Sequence, residues 1–262
     1  MPSPRNYANF LMTGTQRTGS SALAELVNTH PAIACGWEWG EHVPIHKKLS
    51  VLNDALDGRF DDLRANEREH IEASLAPETR WLGCRRLFGA SDKWLFSPRH
   101  SLKLLADRFD AHLRWLDRRR DLRLIHVVRS DHIGWLKSKF VARSVGTFVG
   151  DAYPEDARVT IPIREARARI RAKIWLDERL AALADTHAYL HIEYRDFTAA
   201  PLDAARACAA FLDCDPQALA PETTELRKQS TRDDREYIAN YDELVDAIAA
   251  IAASSASSER GA

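Results

Sequence analysis

Little in this sequence points to a membrane, a metal ion or a nucleic acid. No run among its 262 residues approaches the length needed to span a bilayer, and the start, Met1-Pro-Ser-Pro-Arg-Asn-Tyr7, lacks the apolar core of a secretion signal. Net charge is also missing. The 37 basic and 38 acidic residues leave a formal charge of −1, so no global positive field draws the chain to nucleic acid, and anion specificity must reside in local basic clusters. Only four cysteines occur, Cys35, Cys84, Cys208 and Cys214, and none forms a Cys-x-x-Cys pair. They read as reduced thiols, two of them in apolar runs, and predict a cytoplasmic protein. His42 and His46 have a metal-like spacing, but Pro44 between them disfavours a regular helix and no third ligand is apparent, so no metal is expected.

With 45% hydrophobic residues, the chain has ample material for one large α/β domain, expected over residues 1–251. Residues 252–262, rich in serine and alanine, read as a disordered tail. Short apolar runs at Asn9–Thr13, Ala32–Cys35, Trp81–Cys84, Arg123–Val128 and Ala188–Ile192 are candidate strands. Amphipathic segments alternate with them, which favours a parallel sheet covered by helices. Helices are predicted from Ser20 to Thr29, stopped by His30-Pro31, from Asp131 to about Arg143, and from Arg164 to Ala184. In the last of these, Arg164, Arg167, Arg169 and Arg171 read mostly as a solvated face partnered by Glu165 and other acids. The Gly-containing connection from Ser144 to Asp156 has the character of a substrate loop.

The most informative stretch is Phe10-Leu-Met-Thr-Gly-Thr-Gln-Arg-Thr-Gly-Ser-Ser-Ala-Leu23: a buried strand, a tight hydroxyl-rich loop and a helix starting near Ser20. The first N–H groups of a helix have no intrahelical partner and carry the positive end of its dipole, so phosphate or sulfate oxygens fit there. Arg17, Thr18, Ser20 and Ser21 add a cation and hydroxyl donors, with Gly19 lining the same cradle. Gly14 and Gly19 have the spacing of a nucleoside-triphosphatase loop, yet Ser20 stands where its lysine would be. The cation has moved to Arg17. That absence argues against triphosphate chemistry and for a diphosphate-like anion without an obligatory metal.

Gln16-Arg-Thr-Gly-Ser-Ser-Ala-Leu23 resembles the 5′-phosphosulfate loop of sulfotransferases that use 3′-phosphoadenosine 5′-phosphosulfate (PAPS), especially bacterial carbohydrate and small-molecule members. A second segment, Ile125-His-Val-Val-Arg129 through Ser138, is similar to that family's strand ending in arginine and helix carrying serine, which implies that Arg129 and Ser138 hold the 3′-phosphate. The apolar run ends in Arg129 where a kinase would place a metal-binding aspartate. His191 to Pro201 resembles the family's Tyr-Glu-Asp-Leu/Phe strand and following helix, and serves as scaffold. Arg227 and Lys228 fall where relatives close a basic pair over the cofactor, although a solvated basic turn is an equal alternative. Gly83-Cys-Arg-Arg-Leu-Phe88 is similar to a Gly-x-Lys-Leu strand with arginine for lysine, leaving the roles of Arg85 and Arg86 open.

The resemblance implies a P-loop-like three-layer fold with a central parallel sheet flanked by helices. It also implies sulfuryl transfer from PAPS to a hydroxyl of a sugar or small-molecule acceptor, with no metal; the sequence does not fix the oligomeric state, for which a homodimer is a candidate. Arg17 would stabilise the phosphosulfate and its leaving oxygen. Glu38 falls on the segment that supplies the proton acceptor in bacterial relatives, and flanking Trp37 and Trp39 would raise its pKa toward neutrality. Glu41 and His42 are the alternatives in the same segment. Two other activities compete: a nucleotide or small-molecule kinase, and a catalytically silent PAPS-binding protein.

Overall fold

The computed structural model describes residues 7–36, 45–63, 65–88, 102–146, 152–220 and 232–258. Their contacts divide the chain into two units, residues 1–128 with 179–224, and residues 129–178 with 225–262. Along the chain run β1 (Ala8–Thr15), α1 (Ser20–Val27), β2 (Ile33–Gly36), α2 (Ile45–Leu56), α3 (Ala65–Ala73), β3 (Trp81–Phe88), α4 (Leu102–Arg118) and β4 (Arg123–Val128). These are followed by α5 (His132–Val145), α6 (Ile163–Ala181), β5 (Tyr189–Glu193), α7 (Tyr194–Ala199), α8 (Pro201–Phe211), α9 (Asp234–Tyr237) and α10 (Tyr241–Ser258). None of the helices described is long and apolar enough to cross a membrane.

The first unit is built on a five-stranded sheet in the order β2-β3-β1-β4-β5, in which every neighbouring pair is parallel. All five strands begin within one residue of where the sequence predicts them. Helices flank the sheet in the three-layer, P-loop-like arrangement. From β1 the sheet first grows toward β3 and β2, then switches to β4 and β5 on the other side. Ligands of open α/β sheets bind outside the carboxyl ends of the strands at such a switch point, which here means the end of β1.

Strict alternation sorts β1 between two cores. Phe10 and Met12 join Ile125, Val127 and Ile192 on one sheet face, where Leu23 and Val27 of α1 and Ala205, Cys208 and Leu212 of α8 close over them. Leu11, Leu82, Cys84 and Leu124, all buried, lie on the opposite face. Two helices of this unit, α2 and α4, are tied together by the Trp115 indole donating to Asn53 Oδ1 at 2.8 Å. Gly83 is required by this packing, since a Cβ there would overlap the ring of Phe10.

The second unit has its own core of Trp135, Leu136, Val141, Ile161, Ala166, Ile170, Tyr237 and Leu244. A single parallel bridge pairs Val159 with Ile238, and Asn240 fastens it by accepting from Ile161 N at 3.0 Å and donating to Ile161 O at 2.9 Å. The buried Lys173 is neutralised one helical turn on by Asp177 at 2.5 Å. Arg169 is buried and donates to Glu165 at 2.6 Å, whereas Arg164, Arg167 and Arg171 face solvent. Helix α10 continues through Ser258, over residues that composition marks as a tail. The segment has no glycine or proline to stop the helix, and alanine is the best helix former.

Candidate functional site

β1 delivers the chain into its loop through Gly14, whose φ of 150° lies outside what side-chain-bearing residues adopt readily, and whose missing Cβ leaves room for the Val127 carbonyl of β4. Three residues on, Arg17 takes a left-handed φ of 67°, unusual for a residue with a side chain. Gly19 repeats the left-handed conformation at φ 79°, directly before α1. Backbone that enters the left-handed region this way turns successive N–H groups toward one side, which is the geometry of an anion nest.

The helix start itself supplies no competing group. Gly19 supplies no side-chain cap, and the first turn holds no acidic residue. Ser20 is buried and Ser21 half-buried, with their amides among the orphan donors of the helix start. Thr18 is fully buried, and its hydroxyl donates to the Thr15 carbonyl at 3.0 Å. Its one hydrogen therefore fastens the loop to the end of β1, while the expected hydroxyl donors to an anion reduce to Ser20 and Ser21.

Two neighbours support the loop. A Cβ on Gly19 would sit 3.1 Å from the rings of Tyr194 and Phe197, so α7 buttresses the turn from outside. This is how the segment expected as scaffold acts, although Tyr194 begins a helix where the resemblance places strand. The second neighbour is Arg85. It is 6% exposed, lies opposite Met12 in the β1–β3 register, and donates to the Ser21 hydroxyl. Burial pushes the Cys35 thiol up to about 12, and the nearby Arg85 charge pulls it only part of the way back. Arg85 is thus a cradle residue whose role the sequence leaves open. The signal was the pleat: alternation along β3 puts Arg85 on the Met12 face. The Arg86 side chain lies outside the described residues.

In the second unit, Arg129 comes directly after the last residue of β4 and is 7% exposed. Asp131 binds it through Oδ2 at 2.9 Å and caps α5 through Oδ1, which accepts from Gly134 N at 2.8 Å. The cap falls on one of the two residues the sequence offers. A side chain at position 134 would overlap both Arg129 Nη2 and Asp131 Oδ2, so Gly134 lets the pair fold across the first turn of α5. Ser138, half-buried, lies four residues on and hence on the same helix face as Gly134, leaning toward the helix start. The Ser138 backbone carbonyl accepts from the Tyr153 hydroxyl at 3.0 Å. Lys137, which the sequence reading passes over, is buried and paired with Asp234.

Burial alone would raise the Asp131 pKa; the Gly134 N–H, the Arg129 guanidinium and the Lys137 charge outweigh it and hold the carboxyl below its usual range. Glu38, Glu41 and His42 lie outside the described residues, as do Arg227 and Lys228.

Comparison with known proteins bears on the family. No curated protein matches the sequence. Among solved structures, a sulfotransferase from Alicyclobacillus acidocaldarius shares 16% identity at a TM-score of 0.48, with 94% of each chain covered. A sulfotransferase domain from the olefin synthase of Synechococcus PCC 7002 shares 16% identity at a TM-score of 0.44, covering 86% of this chain and 81% of that one. The sequence model of the sulfotransferase family matches residues 10–218, from the strand that leads into the cradle to beyond the helix that packs beneath it. On that span, the chain belongs to the sulfotransferase family.

Proposed function

We propose that this chain transfers the sulfuryl group of PAPS to a hydroxyl of a sugar or small-molecule acceptor. The observation that carries the reading is the open start of α1: a strained loop with Arg17, an uncapped helix dipole and no acid in the first turn, fit for a dianionic 5′-group. In this reading the amides of Gly19, Ser20 and Ser21 bind the phosphosulfate, with Arg17 countering the charge that grows on the bridging oxygen as it leaves. Arg129 and Ser138 hold the 3′-phosphate, and Arg227 and Lys228 close over it. The acceptor oxygen forms its bond to sulfur as the sulfur–oxygen bond to the 5′-phosphate breaks, and Glu38 takes the acceptor proton. The products are a sulfate ester and adenosine 3′,5′-bisphosphate. Four buried thiols with no disulfide among them support a cytoplasmic setting.

The reading is tested by titrating the protein with adenosine 3′,5′-bisphosphate and with ATP, each with and without magnesium. Metal-independent binding of the bisphosphate, with ATP far weaker, is expected, and ATP binding that requires magnesium would replace the reading with a kinase. Screening acceptors with radiolabelled PAPS then identifies the hydroxyl. With that acceptor, Glu38→Gln should leave bisphosphate affinity intact and lower turnover by roughly 10²–10⁴, the usual contribution of positioned proton transfer. Near-normal turnover would move the role to Glu41 or His42.

A further inference from the structure

Arg85 reaches Ser21 across 64 residues of sequence, from the strand beside β1 to the first turn of α1. A guanidinium has five N–H donors and no acceptor, so the direction of this bond is fixed: Arg85 donates and Ser21 Oγ accepts. The single hydrogen of the Ser21 hydroxyl must then point elsewhere. Among the described residues the Ser21 side chain makes no hydrogen bond except the one from Arg85. The backbone N–H groups beside it at the helix start are donors as well, and no carbonyl among the described residues accepts from it.

We propose that Arg85 is a positioning residue for the cradle: by donating to one lone pair of Ser21 it restricts the rotation of that hydroxyl and presents its hydrogen to a ligand oxygen. The inference rests on the sulfotransferase reading and narrows it. Left alone, a serine hydroxyl rotates and either donates or accepts; with Arg85 behind it, the side chain joins the amides as one more donor to an acceptor-only oxygen, such as those of a phosphosulfate. Helix geometry gives the orientation no other source, because Gly19 offers no side chain and Thr18 is committed to Thr15.

A double-mutant cycle decides the point. Calorimetry on the full chain measures adenosine 3′,5′-bisphosphate affinity for wild type, Ser21→Ala, Arg85→Met and the double variant. A hydrogen bond to a charged group corresponds to a loss of about tenfold or more, so each single variant should weaken binding by that much. The double variant should bind no more weakly than the worse single one, because both remove the same bond. Arg85→Lys, which also only donates, should recover affinity when Ser21 is present and change nothing in the Ser21→Ala background. Losses that multiply, about a hundredfold in the double variant, would overturn the proposal and make Arg85 an independent contact or a structural residue. So would full affinity in Arg85→Met. If Arg85→Met does not fold, the same cycle is run with Arg85→Ala, which also removes the donor. Wild-type protein that binds no bisphosphate at all defeats the sulfotransferase reading first, and this inference with it.

Discussion

At the start of α1 no side chain caps the helix and no acid sits in the first turn, whereas at the start of α5 Asp131 caps the helix and grips Arg129 at once. Both turns lead from a buried parallel strand into a helix, and both carry a buried or half-buried arginine. The first keeps its backbone donors open and accepts unusual φ values at Arg17 and Gly19 to do so. The second spends its backbone on an internal carboxylate and presents a side chain, held in place by that same carboxylate. In the proposed function an anion at the first turn is bound chiefly by amides and a dipole, and one at the second by a guanidinium whose direction Asp131 fixes.

The largest test of this contrast is Arg129→Ala. Removing one partner of a buried charge pair costs about 2–5 kcal/mol, and calorimetry should show that loss for adenosine 3′,5′-bisphosphate but almost none for adenosine 5′-phosphosulfate, which lacks the 3′-phosphate. Equal losses for both ligands would erase the distinction between the turns. Gly14→Ala should damage the first turn through backbone alone. Its Cβ would overlap the Val127 carbonyl in a conformation that alanine resists, and overpacking with φ strain predicts about 2–4 kcal/mol of lost stability by denaturant unfolding. An unchanged midpoint would mean the loop has an alternative backbone path.

Asp131→Ala is a smaller change, worth about 1 kcal/mol of stability for the lost cap. It also alters the acid response. The folded carboxyl titrates below its unfolded value of about 3.9, so its contribution is complete above roughly pH 4 and is lost as pH falls through the folded pKa. Unfolding curves between neutrality and acid should therefore show a shallower acid limb in the variant. Since the Asp131 side chain is 53% exposed, that difference should be slight and shrink with salt. An identical limb would show that Asp131 orients Arg129 without contributing to folding.

Much of this architecture could be read beforehand because it depends on local pattern. The five apolar runs are strands, and the helices after β1 and β4 begin where Ser20 and Asp131 predict. What could not be read depends on groups distant in sequence or on backbone angles that side chains do not announce. Arg17 is not a residue type that favours positive φ, so its strain has no compositional mark. Thr18 looks like an anion donor until its carbonyl partner, Thr15, is seen three residues back. Gly134 is an ordinary helical glycine in sequence, and only the Arg129–Asp131 pair lying across it gives it a purpose. The meeting of Arg85 with Ser21 needs the strand order, because β3 pairs with β1 even though β2 comes between them in the chain. Glu38, Glu41, His42, Arg227 and Lys228 remain assignments from resemblance, outside the described residues.

The central place of β1 in the sheet also sets a timetable for synthesis. Met12 pairs with Arg85 on one side and with Ile125 on the other, and Gly14 nests against Val127. The loop after β1 is synthesised before the strands that wall it, β3 and then β4. Until β3 has emerged β1 has both edges exposed, and until β4 has emerged it keeps one, beside a loop whose left-handed turns lack the Val127 carbonyl they nest against. A nascent chain halted before β4 therefore carries the residues of the loop without the strand that walls one side of it.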